Sequence, residues 1–104
     1  MSVIRARALV YARSNGICEV CGCRRATNWH HRRNASQGGR WAASNGLHVC
    51  GSGTTGCHGW ITTHPVLAAE RGLTVRSTES PADVPVLHAA YGWVYLLDDG
   101  TVTC

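Results

Sequence analysis

The residues best suited to chemistry lie between Cys18 and His58. They are Cys18-Glu19-Val20-Cys21, His30-His31-Arg32, Asn45, and Cys50 with Cys57-His58. Two cysteines separated by two residues can both reach one tetrahedral ion at about 2.3 Å while nearby amides turn toward the sulfurs. The other half of such a site is Cys50 and Cys57, with six residues between them, a departure from the usual spacing. Three glycines and two threonines in that insert let it fold back and return Cys57 to the metal. A structural zinc on Cys18, Cys21, Cys50 and Cys57 is therefore expected, with Cys23 able to stand in for Cys21 or Cys57. Cys104 reads as a free thiol. The alternatives are buried, unligated cysteines or disulfides.

Adjacent side chains on a strand point to opposite faces, so His30 and His31 cannot easily bind one ion together. The pair suggests divided roles, one imidazole holding a metal while its neighbour faces a substrate. Asn45 and His58 follow in order. The plainer reading makes His30 and His31 zinc ligands of a binding module and His58 an extra ligand beside Cys57. His48 and His88 carry no functional assignment, and Trp29, Trp41 and Trp60 are read as packing rather than as base-stacking platforms.

The elements that must position these residues are short. At 104 residues the chain is expected to form one domain, 1–104, with a helical segment 1–16, a central unit 17–72 and a β-rich extension 73–104. Few large apolar side chains are available (no Phe, one Met), and small cores of this kind usually need a staple. Ser2–Arg13 reads as a helix with Ile4, Ala8 and Tyr11 on one face, stopped at Asn15-Gly16. Ile17–Cys23 is a tight cysteine turn, and Thr27–Arg32 and Leu47–Cys50 are strands around a loop over residues 34–45. A helix runs from about Cys57 to Arg71, bent or split by Pro65 and ended by Gly72. Leu73–Arg76 and Val86–His88 are candidate strands. Trp93–Leu97 and Thr101–Thr103 flank an Asp98-Asp99-Gly100 hairpin turn.

Charge is unevenly placed. There is no lysine, and residues 1–40 carry eight arginines against the single acid Glu19, a local charge of +7 within an overall +4. Guanidinium groups pair phosphate oxygens bidentately, so this half suits a nucleic acid, with Arg24, Arg25, Arg33 and Arg40 as candidate phosphate contacts. Four thiolates on one zinc would lower the net charge to about +2. No apolar run is long enough to span a bilayer, and Arg5 and Arg7 interrupt the N-terminal one. A cytoplasmic protein with reduced thiols is the expectation, in the bacterial host if the chain is encoded by a bacteriophage.

Cys18-x-x-Cys21, Trp29-His30-His31-Arg32, Gly38-Gly39, Ser44-Asn45-Gly46-Leu47-His48-Val49-Cys50 and Cys57-His58 together resemble the HNH endonuclease pattern. The likeness is greatest to small HNH proteins of bacteriophages and actinobacterial genomes and covers about residues 14–66. It implies an α+β fold: a zinc-stapled ββα-metal (His-Me finger) core with an N-terminal helix and a C-terminal β-hairpin appendage. It also implies hydrolysis of DNA phosphodiesters to 5′-phosphate and 3′-hydroxyl ends, with nicking and double-strand cleavage both open.

In this likeness His31 matches the general base and His30 and His58 match ligands of one catalytic divalent ion (Mg, Mn, Ni, Co or Zn). Asn45 matches the loop-bracing asparagine. A further helix ligand found in some relatives is absent, because Thr62 occupies its position. Arg32 is positioned in sequence to stabilise charge growing on the phosphate. Analogy adds a terminase or another phage DNA-processing partner, and a monomer or dimer. The competing functions are a non-catalytic zinc module that binds DNA or protein and the cutting half of a restriction system.

Overall fold

The computed structural model describes residues 2–37 and 40–104. Helix α1 (Val3–Ser14) starts where Ser2 Oγ accepts from Arg5 N at 3.1 Å. It ends where Asn15 adopts the left-handed region, φ 55°. Its inward face differs from the expected Ile4–Ala8–Tyr11 stripe. Ala6, Val10, Arg13 and Ser14 are buried, while Ile4 and Tyr11 are 83% and 60% exposed. The cause is Arg13, which is drawn inward by Glu19 and turns the helix so that residues 6, 10 and 13 share the buried side.

Strand β1 (Asn28–His31) pairs antiparallel with β2 (Gly46–Val49), in the register Asn28↔Val49, Trp29↔His48, His30↔Leu47 and His31↔Gly46. Both expected strands are present, the first trimmed by one residue at each end and the second shifted back by one residue. Side-chain alternation gives this hairpin two unlike faces. Leu47 and Val49, fully buried, project into the core with His30 on their side. Trp29, His31 and His48 share the other side, where α1 packs. Gly46 is required there, since a Cβ would collide with the Trp29 ring. The intervening residues 34–45, expected as loop, include 3-10 turns at Ala35–Gln37 and Ala43–Asn45, and Gly38-Gly39 of the motif lie outside the described residues.

The expected long helix is split into α2 (Gly56–Thr63) and α3 (Pro65–Glu70), with His64 at the break and Pro65 opening the second piece. Beyond it, β3 (Val86–His88), β4 (Gly92–Leu96) and β5 (Val102–Thr103) form an antiparallel sheet in that order. Leu73–Arg76 is not a strand. Its polar backbone groups are taken singly instead: Leu73 O accepts from His30, and Val75 N donates to Arg32 O at 2.8 Å. The β-rich extension 73–104, expected to pack against the core, contributes side chains to it. Leu73, Val86, Val94 and Leu96 belong to the same buried cluster as Cys18, Leu47, Val49 and Ile61. No helix among the described residues is long and apolar enough to cross a membrane.

A buried ionic network ties these pieces together. Glu19 Oε2 accepts from Arg13 Nε at 2.8 Å and His88 Nε2 at 2.6 Å, and Oε1 accepts from Arg13 Nη2 at 3.0 Å and His48 N at 2.8 Å. Arg13 directs two further donors to Ala43 O and Gly46 O. His88 Nδ1 accepts from Ala90 N at 3.0 Å, so the ring proton sits on Nε2, facing the carboxylate. Burial alone would raise the Glu19 pKa, but the His88 and Arg13 hydrogen bonds hold it below the ordinary value. Removing one partner of such a pair strands the other in the interior. Glu19→Ala is therefore expected to cost about 3 kcal/mol or more in a urea titration of the zinc-loaded protein. A loss below about 1 kcal/mol would show that solvent already shares this network.

Candidate metal centre and active site

The cysteine knuckle is built by local backbone bonds. Cys18 N donates to Arg24 O and Gly22 N to Cys18 O, while Ile17 and Arg25 bridge across its base. The second pair of cysteines is returned by the insert between them, in which Ser52 and Thr55 bond reciprocally. Gly51 (φ 87°) and Gly56 (φ 59°) lie against one another so closely that a Cβ on Gly56 would stand 2.7 Å from Gly51 Cα. The glycines thus make the six-residue spacing workable.

The sulfurs of Cys18, Cys21, Cys50 and Cys57 all lie within 4.8 Å of one another. Cys21 Sγ and Cys50 Sγ are 3.9 Å apart. A tetrahedral ion with bonds of about 2.3 Å requires sulfur–sulfur edges of about 3.8 Å. The four cysteines can therefore hold a structural metal ion such as zinc. Their electrostatics agree. Burial opposes ionisation of Cys21, yet the Cys23 amide and neighbouring thiols pull its pKa down to about 6. Burial pushes the Cys18 and Cys57 thiols up. Four such groups ionise together only with a cation among them. Cys57 N also points at Cys50 Sγ, 3.4 Å away. Cys23 and Cys104 are exposed and stand outside this group of four.

The histidines are distributed by the hairpin's alternation. His30 and His58 come together on the core side, with ring centroids 5.5 Å apart. His30 Nε2 donates to Leu73 O at 2.7 Å, so the neutral ring leaves Nδ1 free as a ligand atom. Burial drives the His30 pKa down to about 4, which keeps that lone pair available at neutral pH. His58 Nδ1 is buried with no hydrogen-bond partner among the described residues, an orphan that a metal would satisfy. The two neighbouring rings thus present two nitrogen atoms of a type that binds metal ions.

His31 occupies the opposite side, its ring edge-on to Trp41 at 4.6 Å and near Trp29 at 6.0 Å. Its Nε2 is buried and unpartnered among the described residues, and burial lowers its pKa. Both His30 and His31 border a shallow cavity of about 310 Å³, with Thr62, Pro65 and Thr74.

Asn45 braces the loop that follows β1. Its Oδ1 accepts from Arg33 N at 2.7 Å, and its Nδ2 donates to Arg33 O and Arg40 O. Arg33 and Arg40 border a cavity beside Asn45, which Asp98 also enters. Arg24 and Arg25 are exposed on the knuckle. His64 is exposed and stacked on Trp60 at 4.6 Å, away from the His30–His58 pair, and Arg71 covers the same indole.

Arg32 departs from its expected role. It is 1% exposed and donates to the carbonyls of Gly72, Ser44, Pro81 and Val84 at 2.8–2.9 Å. Four donors are committed to main-chain oxygens, so the guanidinium cannot meet a phosphate without dismantling its surroundings. It is a positioning residue that pins the end of β1 to three distant segments. Sequence reasoning also missed Arg13, His88, Glu19 and the Leu73 carbonyl. Only Glu19 carried a signal, as the single acid among the first forty residues.

Compared with protein-family models, with curated proteins and with solved structures, the chain finds no match.

Metal analysis of protein purified without chelator is expected to find about one zinc per chain, with Cys50→Ser losing it together with cooperative unfolding. Zinc-free but fully folded protein would overturn this assignment. For Arg32, substitution by lysine keeps the charge yet cannot reach four carbonyls. Arg32→Lys should thus lower stability by about 2 kcal/mol or more in chemical denaturation, whereas a phosphate-binding arginine would tolerate the change.

Proposed function

We propose that the chain is a metal-dependent HNH endonuclease that hydrolyses DNA phosphodiesters, built on a ββα-metal arrangement of β1, β2 and α2. The observation that carries this reading is the His30–His58 pair. One ring has its tautomer set by Leu73 O so that Nδ1 is available, and the other offers an orphaned Nδ1. His30 and His58 would hold the ion, and a divalent cation bound there would supply Lewis-acid charge stabilisation to the reacting phosphodiester.

His31 is the general base. Burial keeps its imidazole neutral, and with Nε2 enclosed by the tryptophans the proton from water is taken at Nδ1. Asn45 holds the loop after β1 in place through its three side-chain bonds to Arg33 and Arg40. Arg33, Arg40, Arg24 and Arg25 bind the DNA backbone. A terminase or other DNA-processing partner rests on the sequence resemblance alone. The enclosure of His31 Nε2 is the feature that favours the second reading, a zinc module that binds nucleic acid without cutting it.

Supercoiled plasmid incubated with Mg²⁺, Mn²⁺ or Ni²⁺ separates the two readings. Wild-type protein should yield nicked or linear DNA, and His31→Ala should lower the rate by about 100-fold or more while keeping its fold and zinc content. Plasmid left intact by wild-type protein under every metal, with DNA binding retained, would replace the nuclease reading by the binding module.

A further inference from the structure

Between α1 and the outer face of the β1–β2 hairpin lies a cavity of about 270 Å³, lined by Arg7, Val10, Tyr11, Thr27, Trp29 and His48. It is neither the cysteine cluster nor the His30–His58 pair. Three of its lining side chains are aromatic. Tyr11 and His48 stand 5.6 Å apart with their rings tilted. Trp29, the cross-strand partner of His48, is backed by Trp41 at 5.0 Å. Tyr11 is 60% exposed, which leaves its ring accessible from solvent at the edge of the cavity. The Trp29 Nε1 donor is buried without a partner among the described residues.

Arg7 sits over the Trp41 ring with its guanidinium carbon 5.4 Å from the centroid. Stacking of this kind occupies the flat face of the guanidinium and leaves its N–H edge for an anion. The lining contains no carboxylate, and the first forty residues stand at +7. The volume is below the range of about 300–1,000 Å³ typical of drug-sized ligands, which suits a single flat ring system.

We propose that this cavity seats one unstacked nucleobase of single-stranded DNA against the rings of Tyr11, His48 and Trp29, with Arg7 on the adjoining phosphate. A base within a duplex is stacked on both faces and cannot enter a concave site, so the chain would prefer single strands, flaps or frayed ends. Trp29 is shared between the cavity and the His31 ring. The seated base therefore lies on the same side of the hairpin as the proposed base catalyst. The inference rests on the nucleic-acid-binding part of the proposed function and names its substrate class.

The test uses fluorescence anisotropy of the full zinc-loaded chain without added catalytic metal. The probes are a fluorescein-labelled oligothymidylate, an abasic oligonucleotide of equal length and a mixed-sequence duplex. Wild-type protein should bind the thymidylate about tenfold more tightly than the abasic strand, because stacking contributes where phosphates alone cannot. Tyr11→Ala, at an exposed position, should remove that difference while leaving abasic binding unchanged. Arg7→Gln should weaken both strands together. Tryptophan fluorescence should be quenched by thymidylate and not by the abasic strand. Equal affinity for both strands, or a Tyr11→Ala variant that keeps the preference, would overturn the base site while leaving the nuclease reading intact. Failure to bind any of the three probes would remove both.

Discussion

The fold depends on one carboxylate placed where water cannot reach it. Glu19 stands between the two cysteines of the knuckle, and its four side-chain bonds reach α1, β2 and β3. Its backbone adds two more, Glu19 N to His48 O and Ala89 N to Glu19 O. A desolvated charge of this kind is tolerated only when every lone pair is used, so the surrounding segments have little freedom to slide. The helix presents Arg13, the hairpin offers an amide, and the C-terminal sheet offers His88. Helix orientation, hairpin position and docking of the second sheet thus answer to a single side chain. The same constraint explains why α1 hides a cation and leaves Tyr11 outside.

The knuckle in turn fixes where that carboxylate stands. Cys18 and Cys21 flank it, so an ion on the four sulfurs would stiffen the backbone that carries Glu19. Coupling of this sort makes metal and ionic network mutually supporting in a chain without phenylalanine and with few large apolar groups. The hairpin then divides the remaining chemistry by simple alternation. His30 turns toward α2 and His58, while Trp29 and His31 turn toward α1 and the aromatic cavity. Two adjacent histidines end in unlike surroundings because consecutive strand residues must.

Features governed by local rules were legible in the sequence. Ser2 and Asn15 bound the first helix, Pro65 divides the second, and Asp98-Asp99-Gly100 turns the last hairpin. Cys18 and Cys21 were legible from their spacing, and Cys50 and Cys57, more widely spaced, from the glycine-rich insert that can fold back between them. Less was visible where a partner is a main-chain oxygen. The carbonyls of Leu73, Gly72, Pro81 and Val84 decide what His30 and Arg32 do, and every residue type carries a carbonyl. Leu73–Arg76 reads as a strand by composition, yet His30 and Arg32 claim its polar groups. Arg13 and Ile4 exchanged their expected places because an ion pair outweighed an apolar stripe.

The burial of Arg32 changes where positive charge can come from in the proposed reaction. Adjacent to His31, it looked in sequence like the cation nearest a phosphate, but its donors are consumed by the scaffold. Arg33, next along the chain, has an Nε that is buried without a partner among the described residues, and Asn45 holds its backbone at both N and O. That arrangement fixes the main chain of Arg33, while its Nε is left without a partner among the described residues, the reverse of Arg32. Consecutive arginines therefore differ in role: one secures the end of β1 beneath the histidines, and the other borders the cavity beside Asn45 where the proposed phosphate contact would lie. The Asp98 carboxylate near Arg33 and Arg40, occupied by the Ser44 hydroxyl and amide, keeps that cavity from being purely cationic. A phosphate bound there would be favoured by two guanidinium groups and opposed by one carboxylate. The proposed DNA path along this edge consequently relies on geometry set by Asn45 more than on an excess of charge.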